Sequence, residues 1–164
     1  MVKILLKIKF ILTILAISGC STMSKVEPSK HHTDIEMSFF NHLFKNNSAT
    51  FKNEPKTAYC VGLTDNQGRI TDINKSTLIA LNQKQSNHVV NYSECEVKDK
   101  VISKSDNSLA ILFTISNIQC SSRTDCIIKG GYYEGNLSSQ INTYLAKELD
   151  GKWEFSVVEF GPVS

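Results

Sequence analysis

The chain has 164 residues, of which 18 are Lys or Arg and 16 are Asp or Glu, giving a formal charge of +2. Three of the basic residues, Lys3, Lys7 and Lys9, precede a hydrophobic run, and without them the charge is −1. This balance excludes the basic footprint of a nucleic-acid-binding protein. The length is typical of a single domain with a sizeable hydrophobic core.

The first 19 residues have the layout of a secretory signal peptide. An apolar run from Phe10 to Ile17, interrupted only by Thr13, follows the positive region. The run is too short for a transmembrane helix, because crossing the hydrocarbon layer takes about 20 apolar residues. We therefore expect residues 1–19 to be removed on export.

The end of this run resembles the lipobox of bacterial lipoproteins. In Ile17-Ser18-Gly19-Cys20, an aliphatic residue and two small residues precede a cysteine. The resemblance implies cleavage between Gly19 and Cys20 and attachment of acyl chains such as palmitate to Cys20, which anchors the protein to a lipid bilayer. In this family, a residue such as Ser21 after the cysteine favours the outer membrane of a two-membrane cell, with the protein facing the periplasm. An ordinary secretory signal with a chance cysteine is the alternative.

Residues 20–32 are predicted to form a lipidated, flexible tether. The stretch after Cys20 is polar, contains Pro28 and has no hydrophobic periodicity. The adjacent His31 and His32 are interpreted as solvated side chains at the end of a linker rather than as metal ligands.

A helix is predicted over residues 33–46, at the start of a single α+β domain that spans residues 33–164. Thr33 and Glu36 have the spacing of a capping box. Apolar residues at helical spacing predict one buried stripe. The stripe consists of Ile35, Phe39, Phe40, Leu43 and Phe44. His42 lies beside it and is interpreted as boundary packing rather than as a catalytic base.

Most of the remaining chain is predicted to form a sheet, because its apolar stretches alternate or are rich in β-branched residues. Gly130-Gly131 indicates a bulge or a sharp bend, and Asp150-Gly151 predicts a tight hairpin. The predicted elements are a strand over 57–64, a helix over 75–83, a bent or broken strand over 89–103, and strands over 108–119, 126–135, 141–149 and 153–160.

Four cysteines remain after Cys20. An even number of cysteines in an exported chain favours disulfides over free thiols. Three pairings exist, and we favour Cys60 with Cys95 and Cys120 with Cys126. The second pair brackets a polar loop between two β-rich runs, so this disulfide would close the mouth of a hairpin. A zinc site is the alternative, but the chain has no Cys-x-x-Cys pair.

One helix, a shorter helix and then long strands joined as hairpins predict an α+β fold, with the N-terminal helix packed on a curved antiparallel sheet. This arrangement resembles the cystatin-like or NTF2-like architecture. Short motifs also resemble a group of small uncharacterised exported bacterial proteins over about residues 55 to 164. The motifs are Tyr59-Cys60, Ser93-Glu94-Cys95, Gly130 to Gly135 and Gly151-Lys152-Trp153. The resemblance supports the Cys60–Cys95 pairing and implies no particular activity.

Candidate catalytic groups are few. The chain has no hydrolase elbow, phosphate-binding glycine loop or zinc-protease helix, and we expect no catalytic residue, metal or cofactor. Asp125, Glu134 and Glu159 are carboxylates that a folded pocket could gather for acid–base chemistry. Acidic residues near strand ends are more often solvated, so we favour that interpretation.

Large amphipathic side chains suggest a contact surface instead. Tyr132, Tyr133 and Trp153 are the candidate binding surface, because such residues are enriched where proteins meet. Packing in the core or on a sheet face is the alternative explanation for all three residues.

These observations favour an envelope lipoprotein with a non-catalytic binding or protective role. Such a role includes inhibition of an incoming toxin or a cell-wall hydrolase, as an immunity protein does, with a protein partner in the envelope and no nucleic acid. A small NTF2-like pocket enzyme is the alternative. An open cavity between the helix over residues 33–46 and the sheet would favour the enzyme, whereas a filled core would favour binding by the surface.

Overall fold

The structure, a computed structural model, describes residues 28–54, 57–136 and 138–162. The predictions for the signal peptide, for the lipid attachment at Cys20 and for most of the tether lie outside these residues. Within them, no helix is both long enough and apolar enough to cross a membrane.

The described part of the chain folds into two α-helices, two short 3₁₀ helices and nine strands. The helices are α1 (Pro28–Lys45) and α2 (Lys75–Asn82), and the 3₁₀ helices are Thr50–Asn53 and Tyr92–Glu94. The strands are β1 (Ala58–Thr64), β2 (Ile70–Thr71), β3 (Val89–Asn91), β4 (Cys95–Val97), β5 (Val101–Ser103), β6 (Leu109–Cys120), β7 (Asp125–Gly135), β8 (Ser138–Leu149) and β9 (Lys152–Glu159). The predicted α+β class is confirmed.

The first helix is longer than predicted. α1 begins at Pro28, so the predicted start at Thr33 with its capping box is wrong, and the helix includes the end of the predicted tether. Proline suits the first helical turn because the amide hydrogen that it lacks has no partner there. The predicted apolar stripe is confirmed, since Ile35, Phe39 and Phe40 have no exposed surface.

All nine strands belong to one sheet, which curls into a half-barrel. Its main strand order is β2-β1-β6-β7-β8-β9, and β6 to β9 are antiparallel neighbours as predicted. However, β1 is parallel to both β3 and β6, so the sheet is mixed and the prediction of an antiparallel sheet is wrong on this side. The chain between β1 and β6 includes α2 and four short strands, which is enough for the crossover that parallel pairing requires.

The two faces of the sheet have different covers. α1 packs on one face against buried side chains of β1, β6, β7 and β8. On the other face, a smaller apolar cluster surrounds the disulfide between Cys60 and Cys95. The second disulfide joins Cys120 and Cys126, which lie opposite each other on β6 and β7. Both predicted pairings are therefore confirmed.

The predicted hairpin between the last two strands is also confirmed. Asp150 and Gly151 have φ angles of 51° and 74°, and such a left-handed pair matches the twist of the strands that it joins. The irregularity expected at Gly130-Gly131 lies on the neighbouring strand instead, because the register shift falls between Ile115 and Asn117 of β6.

Candidate functional site

The space between α1 and the sheet is filled by aromatic side chains. Phe39, Phe40 and Phe113 have no exposed surface. The ring of Phe44 packs against those of Phe113 and Tyr59, with 4.9 Å between ring centres in each pair. In the part of the chain that the structure describes, these rings occupy the region beneath α1 where a buried pocket would lie, and the two grooves beside α1 are open to the surface.

The main candidate is an open groove of about 460 Å³ between α1 and β9, which we call the α1–β9 groove. Its helix side carries Ser38, Asn41, His42, Lys45 and Asn46. Its strand side carries Trp153, Glu154 and Phe155. The groove therefore combines hydrogen-bonding side chains on one wall with aromatic side chains on the other, which is the mixed character of protein contact surfaces.

His42 lies on the helix wall of the groove. The centre of its ring lies 5.1 Å from that of Phe155 and 5.5 Å from that of Tyr144. Burial lowers the pKa of His42 below its ordinary value of 6.5. The Nδ1 atom lies 3.2 Å from the side-chain amide nitrogen of Asn46, which can only donate a hydrogen bond. Both features favour the neutral imidazole and agree with its interpretation as boundary packing.

The three aromatic residues proposed as a binding surface do not lie together. Tyr132 and Tyr133 are adjacent on β7, so their side chains point to opposite faces of the sheet. Tyr132 is 7% exposed and belongs to the core beneath α1. Tyr133 lies on the far face, where its hydroxyl contacts the carbonyl oxygen of Lys98 at 3.0 Å. Only Trp153 lines the α1–β9 groove.

The three candidate carboxylates are also far apart. Asp125 and Glu134 lie near opposite ends of β7, a separation of roughly 30 Å for an extended strand of this length. Asp125 accepts hydrogen bonds from the hydroxyl groups of Ser122 and Thr124 in the loop between β6 and β7. Glu159 lies at the end of β9, 3.2 Å from the hydroxyl of Thr143. The three groups therefore do not form one acid–base site.

Glu134 has a structural environment that the sequence did not reveal. Its side chain is 3% exposed and accepts hydrogen bonds from the backbone amides of Thr50 and Phe51, at 2.9 and 3.3 Å. Burial alone would raise the pKa of Glu134, but these hydrogen bonds, with further ones from the Thr50 and Ser138 side chains, outweigh it and lower the pKa. The carboxylate thus fixes the 3₁₀ helix after α1 to the end of β7.

A second, smaller groove of about 190 Å³ lies beside the N-terminal half of α1. It contains His32, Glu36 and Ser116. Burial raises the pKa of Glu36, and the charge of His32 one turn away partly opposes this shift. The hydroxyl of Ser116 donates to the carbonyl oxygen of Lys129, so it is directed along the sheet. This groove lacks the oriented hydroxyl–imidazole pair that nucleophilic catalysis requires.

Most of the α1–β9 groove was missed by the sequence analysis, although one signal was present. Ser38, Asn41, His42 and Lys45 follow the spacing of one helix face, next to the apolar stripe. A polar face of this kind is usually solvated, and only the fold shows that β9 passes beside it.

Among the residues that the structure describes, no three His, Cys, Asp or Glu side chains are grouped closely enough to hold a metal ion. Comparison with protein-family models, with curated proteins and with solved structures finds no match to this chain. Function is therefore inferred from the residues and geometry described above.

Proposed function

We propose that the protein is an exported, lipid-anchored envelope protein with a non-catalytic binding role. Cys20 carries the lipid, the outer membrane holds the anchor, and the folded domain faces the periplasm. Its partner is a protein of the envelope or a protein that enters it. Inhibition of an incoming toxin or of a cell-wall hydrolase is one form of this role.

Two features support export. The lipobox-like Ile17-Ser18-Gly19-Cys20 provides the leader and the lipidated residue. The domain also contains two disulfides, of which Cys60–Cys95 is buried. Disulfides of this kind persist in oxidising compartments such as the periplasm and are rare in the cytosol.

The observation that carries the binding role is the filled interior beside an open, mixed surface groove. The rings of Phe39, Phe40 and Phe113 occupy the space beneath α1 that a pocket enzyme would need for its substrate. The α1–β9 groove offers amide, ammonium and aromatic groups at the surface. Surface recognition is therefore favoured over the alternative, an NTF2-like pocket enzyme.

We further propose that the fold is a variant of the cystatin-like or NTF2-like architecture. A helix that packs on a curled sheet with antiparallel β6 to β9 supports this assignment. The parallel pairing of β1 with β6 is the feature that departs from the simple antiparallel form.

Affinity capture from an envelope extract tests the binding role. The bait is the full chain with Cys20→Ala, compared with a groove variant that also carries Ser38→Arg and Lys45→Glu. Lys75→Glu, at the exposed start of α2, is the matched surface control. We expect a protein that the wild-type groove and the control capture and the groove variant does not. Equal capture by all three baits, or turnover of a small molecule without any protein partner, would contradict the proposal.

A further inference from the structure

The strand β9 forms one edge of the sheet in the part of the chain that the structure describes. Within the described part of the chain, β8 is its only strand neighbour. The outer edge of such a strand can form backbone hydrogen bonds with another strand. β9 is eight residues long, contains no proline and is flanked at its C-terminal end by exposed apolar side chains. Val158 is 55% exposed and Phe160 is 74% exposed.

The pairing of β9 with β8 shows which β9 side chains point to the inner face of the sheet and which to the outer face. Trp153 and Phe155 pack towards the core beneath α1, so Lys152, Glu154 and Ser156 face the other way. A register shift makes Val158 an extra residue.

Glu159 lies opposite Thr143 of β8 beyond this bulge. Thr143 alternates with Tyr144, which faces the core, so Thr143 and its partner Glu159 lie on the outer face. Lys152 and Glu159 therefore lie on the same face, at opposite ends of the strand.

This charge pattern is self-complementary when two copies of β9 run antiparallel. With Phe155 of each copy on the twofold axis, Glu154 lies opposite Ser156 of the second copy, and Trp153 lies opposite Val157. Lys152 then lies opposite Val158, next to Glu159, which shares its face, so the two opposite charges lie close together at both ends of the seam. Every directly opposed pair shares a face, as antiparallel pairing requires.

Neighbouring registers are less favourable. A shift by one residue would oppose inward-facing and outward-facing side chains. A shift by two residues in one direction places Glu154 opposite Glu154 of the second copy, where two like charges repel. A shift by two residues in the other direction moves Lys152 past the end of the partner strand. Lys152 then no longer lies near Glu159 of the second copy.

We propose that β9 pairs with β9 of a second copy of this chain and forms a twofold dimer with a continuous sheet. Such an interface is isologous, because each strand supplies both the lysine and the glutamate of the two end contacts. The inference goes beyond the proposed function, since it names self-association at the sheet edge. Because Trp153, Glu154 and Phe155 also form the strand wall of the α1–β9 groove, a second copy on β9 and a groove partner would compete for this edge.

Sedimentation equilibrium of residues 20–164 with Cys20→Ala tests the dimer without the leader and without the lipid anchor. We expect a mass that rises from monomer to dimer with concentration. Lys152→Glu and Glu159→Lys should each raise the dimer dissociation constant roughly tenfold, since each turns two attractive contacts into repulsive ones. The double variant, with the charges exchanged, should restore the wild-type constant, and Lys75→Glu should leave it unchanged.

Cysteine cross-linking tests the register with exposed residues that leave the core intact. Glu154→Cys and Ser156→Cys chains, mixed under mild oxidation, should form a disulfide-linked heterodimer faster than either variant forms a homodimer. A chain that stays monomeric up to about 0.5 mM overturns the proposal. A dimer that neither the charge reversals nor the cysteine pair affects overturns it as well, because its interface then lies elsewhere.

Discussion

Gly130 of β7 lies directly against the ring of Phe39 of α1. A Cβ atom at residue 130 would come within 2.8 Å of Cε1 of Phe39 and within 2.6 Å of the carbonyl oxygen of Thr114. Phe39 is fully buried and its ring also contacts those of Tyr144 and Phe155, so it has no free direction in which to move. The missing side chain at residue 130 therefore sets how closely α1 approaches the sheet.

Gly130→Ala should destabilise the protein by about 1–3 kcal/mol, which is typical of overpacking in a tight core. Urea denaturation measures the change. Phe39→Leu in the same chain is the control, because a smaller side chain relieves the contact of the added methyl group with the ring, although not its contact with the carbonyl oxygen of Thr114. The double variant should lose less stability than the sum of the two single variants, and simple additivity would show that the contact does not limit the approach of α1.

Glu134→Gln should lower the free energy of unfolding by about 1–3 kcal/mol at neutral pH, because the amide cannot accept from both backbone donors at Thr50 and Phe51. The lowered pKa of Glu134 gives the pH dependence its sign. The Glu134 carboxylate stabilises the folded state fully when the pH is above the ordinary pKa of 4.5. This stabilisation is lost as the pH falls towards the folded-state pKa. Stability curves of the two proteins should converge in acid, and a constant offset would contradict the assignment.

His42→Gln should make the stability less sensitive to mild acid. The pKa of His42 is lowered in the folded state, so the unfolded chain binds a proton more readily below the ordinary value of 6.5. Wild-type stability should therefore fall as the pH drops from neutral towards the folded-state pKa, and the variant should lose less over the same range. Chemical denaturation at several pH values measures this difference, with His88→Gln as the control. Parallel curves for His42→Gln and wild type would contradict it.

The two disulfides should open in a fixed order under native conditions. Cys120 is exposed although its partner Cys126 is 1% exposed, whereas both residues of the other pair, Cys60 and Cys95, are buried, at 0% and 4% exposed. A mild reductant should therefore open Cys120–Cys126 first, as alkylation and peptide mapping would show. Removal of the Cys120–Cys126 disulfide, which closes the shorter loop, should lower the free energy of unfolding by about 2 kcal/mol. Removal of Cys60–Cys95, which closes the longer loop, should lower it by about 4 kcal/mol. Simultaneous opening of both in the folded protein would contradict this order.

Cys20→Ala should release the protein from membranes into the soluble envelope fraction. Each buried methylene of an acyl chain contributes about 0.8 kcal/mol of membrane binding, so removal of the attachment site abolishes the anchor. Fractionation and mass spectrometry of the mature terminus provide the measurement. Wild-type protein with an intact leader or an unmodified Cys20, or a variant that stays membrane-bound without acyl chains, would show that the lipobox interpretation is wrong.

Features encoded by neighbouring residues were predictable from the sequence. The apolar stripe of α1 follows from helical spacing, and the last hairpin follows from Asp150-Gly151. The Cys120–Cys126 disulfide follows from a short loop between two apolar runs. In each case the partners are close in sequence, so the local pattern contains the necessary information.

Features that depend on distant pairing were not predictable in the same way. Nothing in the residues of β1 shows that it lies parallel to β6, because a strand has the same alternation in either direction. The contact of Glu134 with Thr50 joins residues that are 84 positions apart. The α1–β9 groove exists only after the curled sheet brings its last strand beside the first helix.

The position of α1 at the start of the described chain has a kinetic consequence. Its phenylalanines are covered mainly by β6 to β9, which are the last strands to emerge during synthesis or translocation. Until then the apolar face of the helix is exposed to solvent. Contacts between segments so distant in the sequence form slowly. The stage before the final hairpin forms is therefore the one at which this chain is most prone to aggregate.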